Sequence, residues 1–331
     1  MSTGRDLSAR ASAAIAAGVA FLSGAQLPNG ELSVKTWRPA APDWVHDPSI
    51  FGTALITKSL EGLPGTEPLR NRACDFIEAQ RERHGVWRHW TRGHAQFNYV
   101  PLDLDDTSVA CVALRQNGRP VPDNRALFLA NRDDRGLFFS WISLRARWVP
   151  NFAYWWISLI HMLHPVYSIM FYYITPSERH DVDAVVNANV LYYLGRSQDT
   201  EAVVGYMLGI LREQRETNCD KWYDSPFVVW YFFSRALRLA GEDAAGIVLE
   251  RLNSVQPRSA LERALATCVR LDWNERPDDD AIRALLDAQL PSGAWPLAPF
   301  YKGGRVRWGS EELTTGFCIE ALSRWLKGSN A

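Results

Sequence analysis

The chain has 331 residues, of which 47% are hydrophobic and 22% charged, so it can bury a large core and is not a disordered polymer. A net charge of -1 without a basic block argues against a nucleic-acid partner. The five cysteines are odd in number and scattered, with no CxxC or Cys/His zinc spacing, which predicts reduced thiols and a cytoplasmic protein.

In chain order, Ala13 to Leu22 behind Arg10 imitates a short signal peptide. The stretch runs straight into Gln26-Leu27-Pro28-Asn29-Gly30, a pattern that returns downstream, so it reads as the first helix of a repeat. Each repeat is a helix ending in Gln, a short linker, then Gly-x-aromatic. It is clearest at Gln289-Leu290-Pro291-Ser292-Gly293-Ala294-Trp295 and at Gln80, Gly85 and Trp87. Weaker copies are Gln26 to Gly30 with Leu32, Asn131 to Gly136 with Phe138, and Gln214 to Trp222. Gly and Pro close one helix and precede another in these copies. Solvent-facing first helices are predicted at 8–25, 66–81, 122–130, 200–214, 242–254 and 278–289, with charges such as Arg70, Glu78, Arg212 and Arg283. Apolar second helices begin near Ser49, Asp105, Asp183, Ser225, Ser259 and Ser310, most behind a Ser, Asp or Pro cap. No run alternates convincingly as a strand. Six outer and six inner helices predict an all-α fold, a closed (α/α)6 toroid spanning residues 1–331 as one domain.

An aromatic-rich insertion at about 136–182 exceeds this plan. Residues 151–174 are almost uncharged and near the ~20 residues that a membrane span needs. His161, His164 and Pro165 in the middle argue against a simple span. The segment reads as a surface in peripheral contact with a membrane, or as a cap over the barrel mouth.

The stretch Pro101-Leu102-Asp103-Leu104-Asp105-Asp106-Thr107-Ser108 puts three carboxylates in four residues and leads directly into the apolar run Val109 to Leu114. A helix N-terminus favours the charged carboxylate, whereas crowding favours shared protons. Two readings follow: an N-cap with acidic first turn, or an acid held in a water-poor site. The string also fits the D-x-D-x-T of haloacid dehalogenase-like phosphatases. That fold needs a preceding strand and β/α alternation, which this chain lacks.

Asp103-Leu104-Asp105-Asp106-Thr107-Ser108 resembles the DxDDT(A/S) signature of class II terpene cyclases, including squalene–hopene cyclases, and the Gln…Gly-x-Trp units resemble their QW repeats. Trp222-Tyr223-Asp224-Ser225-Pro226 and Ser310-Glu311-Glu312-Leu313-Thr314-Thr315 fall where that family starts inner helices, so the resemblance covers most of the chain. The barrel is shared with protein prenyltransferase β-subunits, so the repeats speak for fold and the acidic motif for reaction. The resemblance implies protonation-initiated cyclisation of a linear isoprenoid or prenylated substrate. Asp105 would be the general acid, with Asp103 and Asp106 holding its proton and stabilising the carboxylate left behind. An alkene is a weak base, so such an acid must be strong and water excluded. Ring faces stabilise a cation by about 0.5–2 kcal/mol each, and Trp222, Trp230, Tyr231, Phe232, Tyr192, Tyr193 and Phe317 are the candidates. No cofactor is implied, magnesium entering only with a diphosphate-bearing substrate.

The chain departs from the family in having one barrel, where members usually place the cavity between two. Either the insertion closes the cavity, a second subunit does in a homodimer, or the chemistry differs. Squalene–hopene cyclases orient their acid with a His on the next inner helix. Here that helix reads Asp183 to Val190, so Asn187 or Asn189 would substitute, on nearly opposite faces, with at most one facing the cavity. Proton recycling would then fall to His161, His164 or His180. Glu312, opening an inner helix beside Glu311, is either a capping residue or a carboxylate of the substrate site. Two rival readings remain: a carbohydrate-active (α/α)6 hydrolase or lyase pairing Asp105 with Glu311 or Glu312, and a non-catalytic isoprenoid- or lipid-binding barrel.

Overall fold

The computed structural model describes residues 2–145, 148–163 and 165–329. In order the elements are α1 (Ser2–Ala25), β1 (Lys35–Arg38), β2 (Ala41–His46), α2 (Ile50–Ser59), α3 (Glu67–Gln80), α4 (Leu104–Gln116), α5 (Arg125–Ala130), α6 (Phe152–Met162), α7 (Pro165–Ile174), α8 (Ala184–Leu194), α9 (Glu201–Arg212), α10 (Pro226–Leu239), α11 (Ala245–Ser254), α12 (Ala260–Asp272), α13 (Asp279–Asp287), β3 (Ala298–Gly303), β4 (Val306–Ser310) and α14 (Glu311–Ser329).

The six predicted inner helices are α2, α4, α8, α10, α12 and α14. Each packs on the next and α14 returns to α2, which closes the ring. Their starts follow from local chemistry. Ser49, Asp103 and Ser259 cap α2, α4 and α12 by accepting from the amides of Phe51, Asp106 and Glu262, and Ser310 accepts from Leu313 at the start of α14. Helices α2, α4 and α10 are buried on nearly every face, whereas α3, α9, α11 and α13 bury one stripe and present charge outward, as an outer layer must.

The repeats have a physical basis. Trp295 donates its indole N–H to the Leu285 carbonyl (2.8 Å) and its amide to Thr315 Oγ1 (3.0 Å). Trp87 makes the same pair with Ile77 (2.8 Å) and Thr107 (3.1 Å). Leu32 and Phe138 donate their amides likewise, to Thr53 and to Asn187. Each linker is thereby pinned between the end of one outer helix and a polar side chain of the next inner helix. Gly293 sits at φ +86, and a Cβ there would stand 2.5 Å from the Ala17 carbonyl oxygen. Gly293→Ala is therefore expected to cost about 1–3 kcal/mol, read by chemical denaturation, with helical content unchanged.

The sequence offered no strands, yet the structure has a small antiparallel sheet in the order β2-β1-β4-β3. Thr36 of β1 pairs with Trp308 of β4, joining the two ends of the chain. These strands have 4–6 residues with Pro or Gly among them, too short to show alternation. The insertion forms the helical hairpin α6–α7. All five cysteines are unpaired.

Candidate active site

Asp103 does the capping, its Oδ1 accepting from the Asp106 amide at 2.7 Å. That leaves Asp105 and Asp106 in the first turn of α4 free to face other elements. Asp103 and Asp106 are buried. Asp105 accepts from Asn189 Nδ2 of α8 at 2.6 Å and from the Tyr223 hydroxyl at 3.1 Å, one bond to each carboxylate oxygen. The Asn189 amide is itself oriented: its Oδ1 accepts from Arg235 of α10. With the amide oxygen held by Arg235, the NH2 must point at Asp105. The Arg235 guanidinium also lies 4.6 Å from the Tyr192 ring centroid and 4.5 Å from that of Phe232.

Burial, and then the Asp103 charge, push Asp105 up to about 7, against the hydrogen bonds from Asn189 and Tyr223. Asp106 is pushed up to about 7, chiefly by burial. Asp103 stands well above the ordinary carboxylate range, from burial and then the Asp106 charge. The three carboxyls titrate as a set and retain protons near neutrality. The helix N-terminus does not win here; burial does.

The aspartates face a cavity of about 280 Å³ at the N-terminal ends of the inner helices. Phe51, Trp90, Val100, Trp141, Phe171, Val186, Trp222, Tyr223, Tyr301 and Trp308 line it. Ser140, Trp141, Phe171, Thr175 and Pro176 come from the insertion; Arg38, Tyr301, Gly303, Val306 and Trp308 come from the sheet or the turn joining β3 and β4. Within this one chain the insertion, one of the closures that the sequence offered, supplies part of the wall, and the sheet, which the sequence did not show, supplies another. Asp47 ties the sheet to the segment between α3 and α4, accepting from the indoles of Trp308 (2.6 Å) and Trp90 (3.3 Å), with His94 Nε2 at 3.0 Å. Burial would raise Asp47, but the His94 and indole bonds outweigh it and hold the carboxyl at about 2. Asp220 fixes another wall, accepting from the amides of Val185 (2.9 Å) and Trp222 (2.8 Å).

Of the sequence candidates, Asp103, Asp105, Asp106 and Trp222 line the cavity, and Asn189 reaches it through Asp105. Asn187 does not. It bonds the Phe138 backbone on both sides and serves the repeat as Thr107 and Thr315 do. Trp230, Tyr231, Tyr192 and Phe317 lie outside the cavity wall, farther along their helices, where the inner faces form core. Trp230 donates to Glu216 (3.4 Å), and Tyr231 donates to Glu320 (2.9 Å) within a buried Lys58–Glu320 ion pair. Glu312 is buried at the start of α14, also outside the wall, so no Asp105–Glu312 pair forms. Asp278 caps α13 on the outer layer. His161 is buried in α6 and His180 is exposed, both outside the wall; His164 lies outside the described residues.

Three participants were not singled out by the sequence. Tyr223 was visible only as part of an aromatic helix entry, and Arg235 as one of many charges. His89 gave no signal at all. It lines the cavity with Nδ1 3.4 Å from Asp106 Oδ2 and Nε2 3.2 Å from the Tyr301 hydroxyl. Burial lowers its pKa, partly offset by Asp103, Asp47 and Asp105, so the ring is a neutral base at the cavity wall. Replacing Asn189 by Leu would remove the donor to Asp105 Oδ1 and the acceptor of Arg235, leaving Asp105 only the Tyr223 hydroxyl. The expected loss is about 1–3 kcal/mol of stability with an Asp105 pKa higher than in the parent, measured by denaturation and by carboxyl NMR titration.

No family model matches the chain, and no curated protein sequence does. Solved structures do match. The type II terpene cyclase MstE from Scytonema, in complex with its substrate geranylgeranyl dihydroxybenzoate, superposes with a TM-score of 0.69 at 15% identity over 98% of this chain and 99% of that one. The ent-copalyl diphosphate synthase of Streptomyces platensis gives 0.53 at 17% identity over 87% of this chain and 52% of its own. An unsaturated glucuronyl hydrolase specific for heparin gives 0.54 at 11% identity, with 98% of each chain covered. These likenesses establish for this chain the α/α-barrel fold found in terpene cyclases, which the same barrel in a glycan hydrolase shows to be compatible with other chemistry.

Proposed function

We propose that the protein is a Brønsted-acid cyclase of the class II terpene type, acting on a linear isoprenoid or prenylated substrate. The observation that carries this reading is Asp105: a carboxyl retaining its proton near neutrality, held by Asn189 and Tyr223, at an aromatic-walled cavity. Its proton passes to a carbon of the terminal alkene, consuming that π bond, or to the oxygen of a terminal epoxide, whose C–O bond then breaks; either leaves a tertiary cation that the chain's next π bonds capture in ring closure. Asn189 and Tyr223 stabilise the carboxylate left on Asp105. Faces of Trp222, Trp141 and Trp308 receive the migrating charge. His89 takes up the terminal proton and, through Asp106, returns it to the acid cluster. No cofactor enters this scheme. The barrel's likeness to MstE, whose substrate is prenylated, supports the substrate class. The glycan reading lacks the partner it needs across the cavity from Asp105, because neither Glu311 nor Glu312 lines the wall and the other two carboxyls, Asp103 and Asp106, share the N-terminal end of α4 with it.

The test is turnover of linear prenyl substrates of increasing length, free, epoxidised, linked to an aromatic ring and as diphosphates, in D2O with mass spectrometry of products. A cyclic product carrying one solvent deuterium is expected. Absence of conversion across the whole panel by folded protein would overturn the proposal.

A further inference from the structure

The hairpin α6–α7 breaks the rule that a surface helix carries charge on its outer face. Tyr154, Ile157 and His161 are buried on the inner face of α6, and Phe171 on that of α7. The outer faces are apolar as well. Among the described residues, nine of the thirteen exposed large hydrophobics fall between residues 148 and 173; the other four, Val45, Leu239, Val255 and Leu290, are scattered. Trp148, Leu163 and Tyr173 are 82%, 75% and 87% exposed. Residues 148–177 contain no Asp, Glu, Lys or Arg. A monomer in water does not keep such a face bare without use for it.

We infer that the outer face of α6–α7 docks on a lipid bilayer that carries anionic headgroups. Two observations select the bilayer over a second copy of the chain. Trp and Tyr stand among the aliphatic residues, the composition of a water–hydrocarbon interface. At the edge of the patch, Arg83 lies over the Trp156 ring (4.4 Å to its centroid) and Arg179 over that of Tyr172 (5.8 Å). Both arginines are exposed, and neither pairs with a carboxylate among the described residues. A two-fold contact of this face with itself would offer these cations no acid from residues 148–177, whereas lipid phosphates complement them. The position also fits. Phe171 and Thr175 line the acid cavity, while Ile169 and Tyr173 of the same segment face outward. If the proposed reaction holds, an isoprenoid dissolved in the bilayer reaches Asp105 past one hairpin.

The experiment is co-flotation of the full chain with vesicles of phosphatidylcholine alone and of phosphatidylcholine mixed with phosphatidylglycerol. Binding is expected to the mixed vesicles and to weaken with salt. Leu163→Glu with Ile169→Glu should abolish it, and Arg83→Glu with Arg179→Glu should weaken it by about tenfold or more. Circular dichroism and thermal midpoints like the parent's would show that these surface changes leave the fold intact. Protein that stays with the buffer under all conditions would overturn the inference. A dimer in sedimentation that Leu163→Glu with Ile169→Glu dissociates, without vesicle capture, would instead make the patch a self-interface. Turnover of detergent-dispersed substrate separates this inference from the proposed reaction: flotation without turnover sinks the reaction alone, and turnover without flotation sinks the docking alone.

Discussion

Asp105→Asn is expected to lower cyclisation by about 10^3-fold or more, because an amide cannot protonate an alkene and water is far too weak an acid to replace the carboxyl. The substitution is nearly isosteric. The new amide oxygen can still accept from Asn189, and its NH2 can donate to the Tyr223 hydroxyl, which turns to accept. The fold should therefore persist, and above pH 7 the variant should be at least as stable as the parent, since a buried ionisable group has been removed. Solvent deuterium should disappear from any residual product. The measurement is single-turnover rate with matched unfolding curves. An undiminished rate in Asp105→Asn would assign the acid elsewhere in the cavity, and a rate lost together with the fold would show that the acid cluster holds the barrel.

On the proposed mechanism the working form of Asp105 is the protonated one, so activity should fall as pH rises through about 7. Well above that pH each further unit removes about nine-tenths of that form, so the rate at pH 9 should be lower by about 50-fold than at pH 7 and by about 100-fold than on the acid plateau. Stability should move in the same direction for the same reason. The folded state keeps protons on Asp103, Asp105 and Asp106 that the unfolded chain releases near its ordinary pKa of about 4. This contribution is complete below the unfolded value and is lost as pH rises through the folded one. Asp47 and Glu320 act oppositely. Each is held at about 2, the charged Lys58 and Arg324 with the hydrogen bonds from Lys58 and Tyr231 outweighing burial for Glu320 and His94 with the indoles doing so for Asp47. Their contribution is present above the unfolded value and lost as pH falls from about 4 toward 2. The two groups together place the stability maximum near pH 4, with stability falling from there until about pH 7. Thermal unfolding midpoints across pH 3–9 test this. A midpoint that keeps rising from pH 5 to pH 9 would contradict the protonated cluster.

Much of the barrel was legible because its determinants are local. Ser49, Asp103 and Ser259 announce helix starts by a bond to an amide two or three residues away. Gln, Gly and Trp at fixed spacing announce the linkers, because the same contacts recur at Trp87 and Trp295. Apolar periodicity separated the wholly buried helices from those with one buried stripe. The acid itself was also local, since capping by Asp103 is what turns Asp105 and Asp106 toward other elements.

What only the tertiary structure decided are relations between distant segments. The pairing of Thr36 with Trp308 makes a sheet from strands too short to show a period, and it carries Tyr301 and Trp308 to the cavity. The choice between Asn187 and Asn189 depends on which neighbour each helix face meets: the Phe138 linker on one side, Asp105 and Arg235 on the other. His89 becomes a base only because folding sets it beside Asp106 and Tyr301. Trp230, Tyr231 and Phe317 were misplaced because the inner-helix pattern is the same along its whole length, while the cavity occupies one end of the barrel. Even the pKa of Asp105 belongs to this level. Sequence supplies a helix N-terminus, which lowers it; packing supplies burial and the neighbouring charge of Asp103, which raise it to about 7 and prevail because protein encloses most of the side chain.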